Sequence, residues 1–87
     1  MLMSLNITIR LKLANRPGTL ANVLAVIARE RGSLGAIDLV SASPQYVTRE
    51  MMVRLRDRNH LDELVDALKA ISGVQIIHVA DRVLTKH

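Results

Sequence analysis

The stretch Ala14-Asn15-Arg16-Pro17-Gly18-Thr19-Leu20 decides the fold, because an alternating pattern of apolar residues ends there and a helical pattern begins. Pro17 has a φ fixed near the helical value and lacks the N–H group that a first helical turn leaves unpaired. Gly18 has no Cβ, so another backbone or a small ligand can approach it closely. The free N–H groups of a helix start can hold a carboxylate, and Asn15 is placed to cap them. The stretch is therefore compatible with a plain strand-to-helix turn and with a functional loop.

The residues on either side of this stretch have two different periodicities. Before it, every second residue from 5 to 13 is aliphatic, which is typical of a strand with one buried face. The buried set of this strand consists of Ile7, Ile9, Leu11 and Leu13. After it, apolar residues at helical spacing predict a helix from about Gly18 to Arg31, with Gly32 as the stop signal. The buried stripe of this helix consists of Leu20, Val23, Leu24 and Ile27.

A hairpin is predicted next. Its first strand covers residues 33–43, with Ile37 and Leu39 turned towards the core and Asp38 and Val40 on the other face. Residues 43–45 turn the chain, because Pro44 cannot donate to a strand ladder. The third strand covers about residues 47–56, and its inward set consists of Met51, Val53 and Leu55.

The last part of the chain predicts a second helix and a fourth strand. Asn59 is the predicted cap of this helix, since Asp62 and Glu63 then fall in its first turn. Its buried stripe consists of Leu61, Leu64, Val65, Leu68 and Ile71, and Ser72-Gly73 closes it. Residues 74–84 predict the final strand, with Ile77 and Val79 on one face and Ile76 and His78 on the other.

The resulting order β-α-β-β-α-β predicts an α+β, ferredoxin-like sandwich. Right-handed crossovers put both helices on one face of a four-stranded antiparallel sheet with the strand order 4-1-3-2. With 87 residues, the chain is long enough for a single domain over 1–87. The other face of the sheet is predicted to carry Arg10, Lys12, Asp38, Met52, Arg54 and Arg56. Such a face is either a solvated polar surface or a surface for a partner.

Composition excludes several classes of protein. The chain has no cysteine, so it has neither disulfides nor thiolate metal ligands, and an intracellular setting is permitted. No apolar run approaches the roughly 20 residues that cross a bilayer, so we expect a soluble, cytoplasmic protein without a membrane partner. The net charge of +4 is modest, and Tyr46 is the sole aromatic residue. Since RNA-binding sheets stack bases on aromatics, we expect no nucleic-acid partner. The basic residues of the outer face keep a weak nucleic-acid binder as a lesser hypothesis.

No arrangement of residues predicts catalysis or a metal centre. The three histidines, His60, His78 and His87, lie on different elements without carboxylates at ligand spacing. The serines of the second strand have no histidine nearby in the sequence that would act as a base. The four glycines are scattered and do not form a phosphate-binding loop. We therefore expect a non-catalytic domain with no metal and no cofactor.

The chain resembles the ACT domain family of regulatory modules, which bind amino acids or related small molecules. The resemblance lies in the Arg16-Pro17-Gly18-Thr19-Leu20 turn after the first strand, the helix that ends at Gly32, the hairpin, and the Ile71-Ser72-Gly73-Val74 closure. It implies that a ligand lies between paired domains, so we expect a homodimer or higher oligomer and a small-molecule effector. An assembly of this kind would control an attached or partner enzyme.

The resemblance also implies which residues bind the effector. They are Asn15, Arg16, Gly18, Thr19 and Leu20 in the loop, and Ser33, Leu34, Gly35 and Ala36 at the start of the second strand. Gly18 would admit the ligand, the N–H groups of Thr19 and Leu20 would hold its carboxylate, and Asn15 would recognise its polar head. Some amino-acid-binding members have polar contacts where this chain has Leu13 and Leu34. A domain that only dimerises, without a ligand, is therefore the alternative.

A narrower resemblance concerns the segment 35–40, the Val47-Thr48-Arg49-Glu50 start of the third strand and the tail 78–87. These segments are similar to the amino-terminal ACT-like domain of prokaryotic NAD-dependent malic enzymes. This similarity implies that the chain is a regulatory fragment of a larger enzyme and contains neither its NAD site nor its metal and malate residues.

Overall fold

The predicted order of elements is present in the computed structural model of the chain, which describes residues 4–81. The elements are β1 (Leu5–Ala14), α1 (Thr19–Arg29), β2 (Ser33–Ala42), β3 (Tyr46–Leu55), α2 (Arg58–Lys69) and β4 (Val74–Asp81). The sheet has the strand order β2-β3-β1-β4, and each neighbouring pair is antiparallel. This is the predicted order 4-1-3-2 read from the other edge, so the ferredoxin-like fold is confirmed. Residues 82–84, predicted as the end of the last strand, lie outside the described residues.

The core lies between the sheet and the two helices. All four inward residues predicted on β1 are at most 1% exposed, and the three on β3 are at most 2% exposed. From the helices, the buried apolar residues are Val23, Val26, Ile27, Leu61, Leu64 and Leu68. The predicted stripe residues Leu20 and Val65 are half-buried and pack against this core, while Val26 is a core residue that the predicted stripe omits. No helix in residues 4–81 is long and apolar enough to span a membrane.

Helix α1 begins and ends at other residues than predicted. Its N-cap is Gly18 with a φ of 94°, and no side chain of the described residues caps it. The left-handed residue after the helix is Arg31, with a φ of 65°, rather than Gly32. Gly32 is instead needed for close packing, because a Cβ there would lie 2.9 Å from Val53 Cγ1 and 3.1 Å from Ile27 Cγ2. The glycine therefore allows the end of α1 to pack directly on the sheet.

Helix α2 is capped by Asp57, so the prediction of Asn59 as the cap was wrong. Asp57 Oδ1 accepts a hydrogen bond of 2.9 Å from the His60 N–H, and α2 begins at Arg58. The His60 ring in its first turn is 1% exposed and is hydrogen-bonded to backbone groups on both sides. His60 Nδ1 accepts from the Arg56 N–H at 3.0 Å, and Nε2 donates to the Glu30 carbonyl oxygen. This ring joins the start of α2 to the end of α1.

Strand β2 is an exposed edge strand. Nine of its ten residues are exposed and Ile37 is half-buried. Leu39, which was predicted to face the core, is 61% exposed, so this part of the prediction was wrong. The pairing of β2 with β3 shifts register between Leu34 and Ile37 and again between Leu39 and Ser41. These irregularities and the position at the sheet edge keep the strand out of the core.

Strand β4 contains a bulge at Ile77. Ile76 pairs with Leu11 and His78 pairs with Arg10, so Ile77 is the extra residue between them. Because one residue is inserted, Ile76 and Val79 both pack against the core, while Ile77 is 48% exposed. The prediction that Ile77 and Val79 share a face was therefore wrong.

Candidate functional site

The β1–α1 loop is fixed on one side by the turn between β2 and β3. Asn15 Nδ2 donates a hydrogen bond of 2.9 Å to the Ser43 carbonyl oxygen, and the Asn15 N–H donates to the Gln45 carbonyl oxygen at 2.9 Å. The sequence suggested that the side chain of Asn15 caps α1, and this prediction was wrong. The side chain instead holds the hairpin turn against the loop.

On its other side the loop is fixed by the segment between α2 and β4. Arg16 Nη2 donates to Ser72 Oγ at 3.3 Å, and the Ala14 N–H donates to the Gly73 carbonyl oxygen at 2.7 Å. Two adjacent residues, Asn15 and Arg16, thus extend in opposite directions along the end of the sheet.

The start of α1 combines an open glycine with a buried threonine. Among residues 4–81, no atom lies within 4 Å of a Cβ placed on Gly18. Thr19 is 4% exposed, and both its N–H, at 3.4 Å, and its hydroxyl, at 3.3 Å, are directed at the Arg16 carbonyl oxygen. The N–H of Leu20 lies at the second helical position, where helix geometry supplies no partner. Gly18 is therefore open to a ligand, next to the Leu20 N–H that has no partner within the helix.

The other half of the predicted site lies at the opposite end of the sheet. Ser33 pairs with Arg54 and Leu34 with Val53, beside the beginning of β1, whereas the loop follows its end at Ala14. A strand of ten residues spans roughly 30 Å. One copy of the chain thus brings Asn15, Arg16, Gly18, Thr19 and Leu20 together, and it brings Ser33, Leu34, Gly35 and Ala36 together, but it separates the two groups.

The start of β2 borders a shallow cleft of about 260 Å³. Its lining consists of Asn6, Ser33, Leu34, Gly35, Met52, Val53 and Arg54. Arg54 Nε donates to Asn6 Oδ1 at 3.4 Å on one wall, and the exposed Leu34 supplies apolar surface. A Cβ on Gly35 would lie 3.4 Å from the Met52 carbonyl oxygen, in ordinary van der Waals contact with β3.

The end of the sheet that carries the loop is poor in negative charge. No acidic residue occurs in 1–29, 39–49 or 67–80 of the sequence. Within residues 4–81, the ion pairs are Arg10–Glu50 at 2.9 Å and Arg58–Asp81 at 3.2 Å, and neither involves Lys12 or Arg16. Since Arg10 is paired with Glu50, the outer face carries less free positive charge than its sequence suggests. The loop end therefore carries Lys12 and Arg16 outside any ion pair of residues 4–81, a charge arrangement that favours anions.

The sequence analysis did not predict that Lys12 and Tyr46 lie next to each other near the loop. Lys12 Nζ lies 4.3 Å from the centre of the Tyr46 ring, and both residues line a second cleft. Three segments that meet at the loop end of the sheet lack acidic residues. This absence was the sequence signal that could have indicated a basic site at Lys12. No group of three His, Asp or Glu side chains in the described part of the chain is arranged to hold a metal ion.

The chain is similar to a known domain family and to segments of two enzymes. A family model described as the ACT domain matches residues 3–78. The NAD-dependent malic enzyme of Geobacillus stearothermophilus is 33% identical over 84 residues, which are 97% of this chain and 18% of that protein. The NAD-dependent malic enzyme 1 of Bacillus subtilis (strain 168) is 28% identical over 81 residues, which are 92% of this chain and 18% of that protein. The chain thus spans less than one fifth of these relatives.

A solved structure is similar over nearly the whole fold. The crystal structure of the ACT domain from GTP pyrophosphokinase of Chlorobium tepidum superposes with a TM-score of 0.72 at 22% sequence identity. The match covers 91% of this chain and 99% of that one. At this identity the similarity supports the fold alone.

Proposed function

Because this chain belongs to the ACT domain family of regulatory small-molecule-binding domains, we propose that it binds an amino acid or a related metabolite between two copies of itself. One observation carries this proposal: in one copy, the two halves of the predicted site lie at opposite ends of the sheet. One half is the start of β2, and the other is hydrogen-bonded to Ser43, the residue after its end. A complete site therefore needs a second copy. We also propose that residues 1–87 form a single ACT-like domain.

Strand β2 supports such a pairing. It is a sheet edge along its whole length, and its exposed apolar residues include Leu34, Leu39 and Val40. Antiparallel pairing of β2 with β2 of a second copy sets the start of one strand beside the end of the other. Ser43, the residue after β2, accepts a hydrogen bond from Asn15. In this arrangement Ser33–Ala36 of one copy lie near the loop of the other.

The chemistry of the loop supports a ligand with a carboxylate. The N–H of Leu20 and the positive end of α1 attract negative charge. Gly18, with open space where its Cβ would be, allows a close approach to them. Leu34 offers apolar surface to the rest of the ligand, so we expect an effector with an apolar side chain. Leu13 is 1% exposed in the core and takes no part in this contact.

The relatives extend the proposal to a parent enzyme. Two relatives with matching segments are NAD-dependent malic enzymes. We propose that this chain is a domain of an enzyme of that kind and regulates it. Regulation requires that the effector binds more tightly in one arrangement of the paired domains than in the other.

A ligand-free dimerisation module is the second candidate. The exposed apolar side chains of β2 favour it, since they would be covered by pairing without any effector. The two candidates predict the same dimer and differ in the response to small molecules.

Thermal shift of the chain with the common amino acids and metabolic carboxylates tests the proposal. A ligand at a hundred times its dissociation constant adds about 2.7 kcal/mol to the free energy of unfolding. The variant Gly18→Asn fills the approach to the loop with a residue that tolerates a positive φ. We expect it to lose the shift and to keep the dimeric mass, while the exposed control Ala25→Ser keeps both. A dimer with no shift for any compound supports the assembly module, and a strict monomer contradicts both candidates.

A further inference from the structure

A second cleft, of about 230 Å³, lies at the loop end of the sheet on the outer face, the face turned away from the helices. Its lining consists of Lys12 on β1, Tyr46 on β3, Gly73 just before β4, and Val74 and Gln75 at the start of β4. We propose that this cleft binds a small anion with two or more negative charges, a polycarboxylate or a phosphorylated metabolite, through Lys12 in its lining and through Arg16, which lies against Gly73 at its edge. This site is distinct from the interfacial site proposed above, since one copy of the chain supplies all of it.

Among residues 4–81, Lys12 has no ion-pair partner, unlike Arg10 on the same face. Arg10 stands opposite Glu50 and pairs with it at 2.9 Å. Lys12 stands opposite Thr48 on β3 and Gln75 on β4, which are both neutral. Its Nζ is held over the Tyr46 ring, a contact that orients the ammonium group and leaves its positive charge uncompensated.

Arg16 is likewise positioned by neutral groups. Its Nη2 donates to Ser72 Oγ, and its guanidinium group lies against the backbone of Gly73. A Cβ on Gly73 would come within 2.9 Å of Arg16 Nη2 and of the Ala14 Cβ, and the φ of 81° also favours glycine. Gly73 therefore leaves room for the guanidinium group beside the cleft wall.

The surrounding charge strengthens the effect of these two cations. The segments that meet here belong to the acid-free ranges 1–29, 39–49 and 67–80. An ammonium group acts as a point charge and a guanidinium group offers a planar pair of donors, so together they suit an anion with separate charged groups. At about 30 Å³ for each water, the cleft has room for about eight waters or a metabolite of similar volume.

The cleft and the interfacial site lie on different sides of one loop. Asn15 extends to the β2–β3 turn, whereas Arg16 extends to the segment before β4. The resemblance to the family placed Arg16 with the interfacial ligand. Its hydrogen bond to Ser72 places it beside Gly73, which lines the second cleft.

Tyr46 makes a direct experiment possible, because it is the single tyrosine of a chain without tryptophan. Citrate and inorganic pyrophosphate are titrated separately at constant ionic strength, with acetate as a singly charged control. We expect saturable changes in tyrosine fluorescence and in the NMR signals of the Gly73 and Gln75 amides with at least one of them. Saturation by citrate alone indicates a polycarboxylate ligand, and saturation by pyrophosphate alone indicates a phosphorylated one.

Three charge-matched variants separate a site from a general attraction. We expect Lys12→Gln and Arg16→Gln each to raise the dissociation constant at least tenfold, measured by NMR. Arg54→Gln removes the same charge from the same face at the other end of the sheet, and we expect a change below twofold. Equal weakening by all three variants, or unsaturable changes with both probes, would overturn the proposal. Because binding needs one copy only, it is also expected from a monomeric chain.

Discussion

Removal of the His60 ring tests the account of how the two halves of the fold are joined. The ring is 1% exposed, accepts from the Arg56 N–H at 3.0 Å and donates to the Glu30 carbonyl oxygen. His60→Ala leaves both backbone groups without a partner and opens a cavity. At about 1–3 kcal/mol for each unsatisfied buried group, reduced where water enters the cavity, we expect a loss of about 2–4 kcal/mol. The N–H of residue 60 and its bond to Asp57 remain, so the cap is unaffected.

The assay is urea unfolding followed by far-ultraviolet circular dichroism. The dependence of the unfolding free energy on urea concentration, the m-value, is held equal for both proteins. A loss of 3 kcal/mol corresponds to a decrease in Tm of about 12–24 °C for a domain of this size. His78→Ala is the matched control, since His78 is exposed on β4 and we expect its loss to change the stability by about 0.5 kcal/mol or less. If the two alanine variants were equally stable, the ring would not join α1 to α2 and the reasoning would be refuted.

Two further stability predictions follow from the ends of the helices. Asp57→Ala removes the side-chain cap of α2 and is expected to cost about 1 kcal/mol in urea unfolding, whereas Asn59→Ala is expected to cost a few tenths. The reverse order of the two costs would restore Asn59 as the cap. Gly32→Ala places a Cβ 2.9 Å from Val53 and 3.1 Å from Ile27, so we expect thermal unfolding to show a loss of about 1–3 kcal/mol from overpacking. An unchanged or higher Tm would show that α1 can move away from the sheet without cost.

The sequence predicts the elements of this fold well because burial follows the backbone period. The inward residues of β1 and β3 alternate without interruption, and all of them are in the core. The pattern fails where the backbone departs from its period. One inserted residue at Ile77 changes which face each following side chain occupies, and an edge position leaves Leu39 in solvent despite its parity. Neither feature is encoded by local hydrophobicity.

The candidate site is less predictable because its side chains are directed by partners far away in the sequence. Asn15 bonds to Ser43, 28 residues further along, and Arg16 bonds to Ser72, 56 residues further along. Residue types identify the loop, but only the strand order brings these partners beside it. The same reason explains why Lys12 and Tyr46 were not paired from the sequence. They become neighbours through the antiparallel register of β1 and β3.

Ser43 and Ser72 are connected by two hydrogen bonds through the β1–α1 loop. This connection passes through two consecutive residues, Asn15 and Arg16, so a pull on one hydrogen bond changes the geometry available to the other. An anion that draws Arg16 away from Ser72 therefore alters the energy of the hairpin turn beside Asn15. In a closed cycle of two ligands, each changes the affinity of the other by the same factor. The β1–α1 loop would then couple two different ligands. The anion bound in the cleft of one subunit would change the affinity of the interface between two subunits for the effector.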